Sequence, residues 1–231
     1  MVERHIPGIA ILASGSGSTA EAFIHATQDG RVAAEVGLVI SNNPPDKAGV
    51  HSRIETLSRR YGLDIEMAEI SGHTHPEGNV GRGQTLAESS AICELVTRRG
   101  IVHIALMGYM KMVQGELIET YGWLSRYSSI YEARMTNTHP GPLPETEDTY
   151  GIHTSEKVLE LGLAQSRHTV HLVAAGIDRG PKLAEHPVDV IEGDTAESLF
   201  TRVQVTEKVA LPYVIGNFLR EQGNYLGSTR D

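Results

Sequence analysis

The chain has 231 residues, 40% hydrophobic and 21% charged, an ordinary globular composition long enough for one domain with a substantial core. Its formal net charge of -9 repels nucleic acid and anionic membranes, so neither is expected as a partner, and an anionic substrate needs a locally favourable pocket. The single cysteine, Cys93, excludes an internal disulfide and fits a reducing, cytoplasmic setting; between Ile92 and Leu95 it reads as a small buried helix residue.

In chain order, residues 9–13 form a short apolar run, a first strand, that ends in Ser14-Gly15-Ser16-Gly17. Ser18 and Glu21 have capping-box spacing, so a helix is expected to start there. Residues 36–40 read as a second buried strand, stopped by Ser41-Asn42-Asn43-Pro44-Pro45. Val50, Ile54, Leu57 and Tyr61 fall on one face of a helix. A short third strand is expected over 64–68. Residues 71–84, rich in Gly, His and polar side chains, read as a long exposed loop. Residues 86–99 are helical, closed by Gly100, and 101–107 are apolar enough for a strand buried on both faces.

A strand over 134–138 then runs into His139-Pro140-Gly141-Pro142, and a helix follows over 153–161. Residues 168–174 and 182–190 are two strands close enough to be antiparallel neighbours. Thr195 or Asp194 caps a long last helix, interrupted or kinked near Pro212, with a polar tail from about residue 220. The alternation predicts an α/β fold: a Rossmann-like, mostly parallel sheet with helices on both faces and an antiparallel C-terminal strand pair. No repeat or Pro/Gly-rich linker divides the sequence, so 1–231 is expected to be a single domain.

The turn Gly15-Ser16-Gly17-Ser18, between a strand and a helix, can offer backbone N–H groups to a phosphate or be a merely tight turn. With Ala20 it also fits the dinucleotide pattern G-x-G-x-x-A, but Ser41-Asn42-Asn43 stands where that pattern needs an acidic residue. On an extended segment Asn137 and His139 point to the same side, and together they could hydrogen-bond an oxyanion. Taken alone, a turn-flanking His139 and an Asp178 between glycines are ordinary structural features. His168 and His171, three apart on a strand, face opposite ways; His73 and His75 lack ligand-spaced partners, so no metal site is expected.

In combination these segments resemble the formyltransferase family that uses 10-formyltetrahydrofolate, over about residues 9–218. The resemblance rests on Ser14-Gly15-Ser16-Gly17-Ser18, Ser41-Asn42, Met107-Gly108-Tyr109-Met110-Lys111 and Asn137-Thr138-His139-Pro140. It continues through Gly151-Ile152-His153-Thr154, His168-Thr169-Val170-His171, Asp178-Arg179-Gly180-Pro181 and Val203-Gln204-Val205-Thr206-Glu207. It implies a formyl transfer to glycinamide ribonucleotide, with Asn137, His139 and Asp178 around the formyl group and no metal. It further implies that Gly15, Ser16, Gly17 and Ser18 hold the substrate phosphate, with Glu207, Gln204 and Arg82 as further ribonucleotide contacts. The folate is expected against Met110, Lys111, Met112 and Val113, and against Val173, Ala174, Ala175, Gly176 and Ile177.

The sequence departs from the family at Ser16 and Thr19, at Gly141-Pro142-Leu143-Pro144, at the longer acidic segment 145–150, and around Arg167-His168. The rival readings are a formyltetrahydrofolate hydrolase, which carries an extra N-terminal domain, and a methionyl-tRNA formyltransferase, which carries a basic C-terminal one. A third is a nucleotide-binding relative without catalysis.

Overall fold

The computed structural model describes residues 6–72, 74–75 and 83–228. Seven strands form one sheet in the order β3-β2-β1-β4-β5-β6-β7. They are β1 (Gly8–Ala13), β2 (Glu35–Ser41), β3 (Glu66–Glu69), β4 (His103–Leu106), β5 (Met135–His139), β6 (Gln165–Leu172) and β7 (Lys182–Asp189). The first five run parallel; β6 lies antiparallel to both β5 and β7.

Strand alternation builds two cores. In β1, Ile9 and Ile11 point to one face and Ala10 and Leu12 to the other, all fully buried. The first face is covered by α1 (Ser18–Gln28), α2 (Val50–Tyr61) and α6 (Ala196–Ser228), through Phe23, Ile24, Ile54 and Leu211. The other is covered by α3 (Leu86–Arg98) and α4 (Glu116–Tyr121), through Ile92, Val96 and Leu117. Each such fully buried side chain stabilises the fold by roughly 1.5–3 kcal/mol. The remaining helix, α5 (Ile152–Glu160), packs Val158 against Leu199 and Val203 of α6. Among the described residues no helix is long and apolar enough to cross a membrane.

Chain order reverses between β1 and β4, because β1 continues outwards to β2 while β4 starts the other half. Loops leaving the carboxyl ends of strands diverge at such a point and leave a crevice. Here the crevice is stitched by Ser14, whose N–H donates to Gly108 O (3.0 Å) and whose Oγ accepts from Met110 N (2.7 Å).

Several expectations need correction. Ser18 and Glu21 form no capping box: Gly17 is the N-cap at φ 73°, no side chain caps the helix, and Glu21 pairs with Arg53 instead. The last helix is not interrupted at Pro212, whose neighbours Leu211 and Ile215 are held in the core; the polar stretch expected as a tail from about residue 220 is part of the helix, which continues to Ser228. Thr195 does cap it, accepting from Ser198 N at 3.2 Å.

The stretch 71–84 is not exposed at its ends. Ser71 and Gln84 are buried, and Gln84 donates through Nε2 to the Tyr109 hydroxyl at 2.9 Å. Strands β3 and β4 start two residues later than expected, and β6 starts three residues earlier. The short helix α4 lacked a sequence signal because its six residues make fewer than two turns.

Candidate active site

The crevice is a cleft of about 650 Å³ lined by Ser14 to Thr19, Met107 to Val113, Asn137 to Pro140 and Asp148 to Gly151, and on the other side by His171, Val173, Ala174, Gly176 to Asp178, Gln204 and Glu207. That volume is in the range that holds a small-molecule ligand.

At one end, α1 begins directly after the glycine turn. The first N–H bonded within the helix region is that of Glu21, to Gly17 O at 2.9 Å; before it, Ser18 N–H reaches Ser16 Oγ at 3.4 Å, and the N–H groups of a helix start have no intrahelical partner. The turn is pinned from behind by α2, since Val50 N donates to Gly15 O (3.1 Å) and Arg53 Nε to Ser16 O (2.8 Å). Gly17 is required twice: its φ of 73° is left-handed, and an added Cβ would lie 2.7 Å from Val50 Cγ2.

At the other end, β5 presents alternate residues to opposite sides. Asn137 and His139 share a face as expected, and both reach Asp178. Asn137 Nδ2 donates to Asp178 Oδ1 (3.1 Å), and His139 Nδ1 lies 3.2 Å from Asp178 Oδ2. Asp178 sits at a left-handed φ of 52° in the loop leaving β6, a strained backbone that aims its carboxylate back at the strand.

A fourth member, His171, was not anticipated. It lies opposite Asn137 across the β5–β6 ladder, with Nε2 3.1 Å from Asn137 Nδ2 and 3.2 Å from Asp178 Oδ1. Its Nδ1 donates to Leu172 O at 2.8 Å, which fixes the ring. Burial by itself would raise the Asp178 carboxyl, but hydrogen bonds from His139 and His171, and their charges, hold it well below the ordinary carboxylate range. Asp178 is therefore ionised, with Asn137 Nδ2 donating to it and a nitrogen of each histidine ring within 3.2 Å.

Thr138, on the opposite face of β5, connects to a separate network. Its Oγ1 donates to Glu207 Oε1 (3.2 Å) and lies 2.7 Å from His168 Nε2. Burial pushes the Glu207 carboxyl up against the hydrogen bonds from Thr138 and Thr19. Burial, with His186 and His139 nearby, holds His168 down to about 3, so it is a neutral ring that supports Thr138. His168 and His171 thus face opposite ways, as their spacing predicted.

The remaining expected residues divide. Met110, Lys111, Met112, Val113, Val173, Ala174, Gly176 and Ile177 line the cleft; exposed Ala175 does not. The Lys111 amine is paired with buried Glu88. Gln204 lines the cleft one turn of α6 before Glu207. Arg82 and His73 lie outside the described residues. Cys93 is buried in α3 and its thiol is pushed up to about 12, by burial first and then by Glu116.

Solved structures share this fold. The solved phosphoribosylglycinamide formyltransferase of Bacillus halodurans has a TM-score of 0.74 at 28% identity, over 92% of this chain and 95% of that one. Glycinamide ribonucleotide transformylase 1 of Symbiobacterium toebii gives 0.76 at 28% identity, over 95% and 90%. The trifunctional purine biosynthetic protein adenosine-3 of Gallus gallus is 29% identical over 91% of this chain, which spans only about a fifth of that relative, 19% of its length. The sequence model for formyl transferase matches residues 8–215, from the first strand through Glu207 and into the last helix. With that match covering nearly all of the sheet and every group of the cleft, the chain belongs to the formyl transferase family.

Proposed function

We propose that this protein transfers the formyl group of 10-formyltetrahydrofolate to the amine of glycinamide ribonucleotide, giving formylglycinamide ribonucleotide and tetrahydrofolate in de novo purine synthesis. The observation that carries this reading is one cleft with an anion-suited glycine turn at one end and the Asn137–His139–Asp178 cluster at the other. The turn from Gly15 to Ser18 takes the phosphate, Gln204 and Glu207 contact the rest of the ribonucleotide, and the folate lies against Met110 to Val113 and Val173 to Ile177. A single domain carries both subsites, and its acidic surface with one buried cysteine suits the cytoplasm.

In this reading the ribonucleotide's free amine attacks the formyl carbon. The carbonyl electron pair moves to oxygen, and the tetrahedral intermediate's oxyanion accepts hydrogen bonds from His139 and Asn137. Ionised Asp178 supports the positive charge on His139 and helps move a proton from the attacking amine towards the folate nitrogen. The C–N bond to the folate then breaks, the electron pair leaving with that nitrogen. No covalent enzyme intermediate is needed.

Tetrahydrofolate release measured with and without glycinamide ribonucleotide tests the reaction. Release that requires the ribonucleotide is expected; equal release without it would mean hydrolysis, and none in either case a binding protein.

Glu207 supplies a second test. Its folded-state value is raised above the unfolded reference of about 4.3. The stability linked to it is therefore full below that reference and lost as pH rises through the folded value. Glu207→Gln should raise the melting temperature at pH 7 by about 2–4 °C, the shift that ~1 kcal/mol makes in a chain of this size. The same variant should raise the ribonucleotide KM, and a variant that melts lower at pH 7 would contradict the electrostatic account.

A further inference from the structure

For a phosphorylated substrate the cleft is short of cations. Among the described residues that line it, the only lysine or arginine is Lys111, whose amine is paired with buried Glu88, while Asp148, Asp178 and Glu207 add carboxyl groups. The whole chain carries a formal charge of -9. A cation does touch the glycine turn, but from behind. Arg53, in the first turn of α2 and outside the cleft lining, donates through Nε to Ser16 O at 2.8 Å and pairs through a terminal nitrogen with Glu21 of α1.

The first contact bears on where the turn's N–H groups point. A trans peptide unit is planar and holds its C=O and N–H in opposite directions. Gly15 O accepts from Val50 N at 3.1 Å and Ser16 O from Arg53 Nε, so two successive carbonyls face α2. The N–H groups of Ser16 and Gly17 share those peptide units and therefore face away from α2. Both residues line the cleft, and neither N–H has a protein acceptor among the described residues. Successive N–H groups turned one way form a concavity suited to an anion. The tether at Gly15 is made by backbone and needs no particular residue at position 50; the tether at Ser16 depends on the arginine side chain.

The second contact concerns charge. Glu21 is the acidic residue in the first turn of α1, where a carboxylate competes with a phosphate for the positive end of the helix. His25 lies 3.9 Å from Glu21 Oε1, and its other ring nitrogen is bonded to the Tyr61 hydroxyl at 2.8 Å, which leaves Arg53 as the close cationic partner.

We infer that Arg53 is a positioning residue for the phosphate subsite, tethering the Ser16 carbonyl so that the Gly17 N–H faces the cleft and cancelling the charge of Glu21 beside it. This rests on the reading of the turn as the place of the ribonucleotide phosphate.

Titration of the substrate-free protein with ribose 5-phosphate, followed by phosphorus-31 NMR, is the test. Arg53→Met keeps the length of the side chain but neither its charge nor its donors, and should weaken binding about tenfold, the scale of one charge-assisted hydrogen bond. Arg53→Lys keeps the charge but lacks the planar fork that reaches both partners, and should lose roughly threefold. Adding Glu21→Gln to Arg53→Met removes the uncovered carboxylate and should recover about threefold, a gain that a merely structural role would not give. With both substrates, Arg53→Met should raise the ribonucleotide KM about tenfold while kcat and the folate KM move less than about twofold.

Wild-type affinity in Arg53→Met would overturn the inference, as would a double variant that binds no better than Arg53→Met alone, or equal rises in both KM values. Should Arg53→Met not fold, Arg53→Lys decides by the same titration, and wild-type affinity there contradicts the tether. The titration uses no folate and no turnover, so weakened binding in Arg53→Met without any formyl transfer would sink the reaction and leave this inference standing. A wild-type protein that binds no ribose 5-phosphate would remove the phosphate subsite and this inference together.

Discussion

Asp178→Asn is expected to lower kcat by roughly two or more orders of magnitude, the usual scale for losing a positioned acid–base or oxyanion group, while the ribonucleotide KM changes little. The carboxylate accepts from Asn137 Nδ2 and lies 3.2 Å from both His171 Nε2 and His139 Nδ1. An amide of the same shape has one accepting atom instead of two and no charge. One of these neighbours must then face an NH₂ group, and in the proposed mechanism His139 loses its counter-charge. Both losses fall on the proposed reacting centre, and none of the three groups around Asp178 belongs to the glycine turn, which is why turnover suffers and ribonucleotide binding does not. Because His139 and Asp178 act as one unit, adding His139→Ala to Asp178→Asn should cost much less than the product of the two single losses. The check is kcat for both single variants and the double variant. Near-wild-type turnover in Asp178→Asn, or fully multiplicative losses, would show that the pair does not act together.

Gly17→Ala should raise the ribonucleotide KM by about tenfold or more and leave the folate KM within about threefold. Alanine at a left-handed φ costs roughly 1–2 kcal/mol, and each 1.4 kcal/mol is a factor of ten. The geometry adds to this, because the new methyl would sit 2.7 Å from Val50 Cγ2 and 2.9 Å from Val50 Cα. Helix α2 is anchored in the core by fully buried Val50 and Ile54, so the turn must move rather than the helix. That displaces the backbone N–H groups proposed to hold the phosphate. The proposed folate wall, Met110 to Val113, follows β4 and is bonded to Ser14 rather than to Gly17, so it is expected to be disturbed less. Separate KM values for the two substrates check this; equal rises in both would place the phosphate elsewhere or indicate general damage to the fold.

What the sequence revealed follows the range of the physics involved. Period-two alternation is local, so the shared face of Asn137 and His139 could be read directly, and their common partner confirms that they point the same way. The same rule separated His168 from His171 correctly. It could not tell what each would meet. His171 joins Asn137 only because β6 pairs antiparallel with β5 in a register that sets them opposite, and register is a long-range property. Its one local trace is a second histidine near the end of a strand that is mostly polar yet buried from His168 onwards.

Thr146, whose Oγ1 lies 2.9 Å from His139 Nε2, was hidden for a related reason. A threonine in an acidic loop has no periodicity, and only the fold of 139–154 brings it to the ring. The capping-box expectation at Ser18 failed because the turn needed a left-handed residue at the cap, and glycine there outweighs a side-chain cap. Pro212 did not interrupt its helix, since burial of Leu211 and Ile215 outweighs one missing N–H donor.

The central claim is that one cleft holds the ribonucleotide phosphate at the glycine turn and the formyl group at the Asn137–His139–Asp178 cluster. A crystal structure with glycinamide ribonucleotide and a non-reactive folate analogue tests it most directly. The account predicts the phosphate within hydrogen-bonding distance of backbone N–H groups between Gly15 and Thr19, and the analogue's formyl-bearing nitrogen beside His139 and Asn137. A phosphate bound away from this turn, or an analogue seated away from His139, would contradict it.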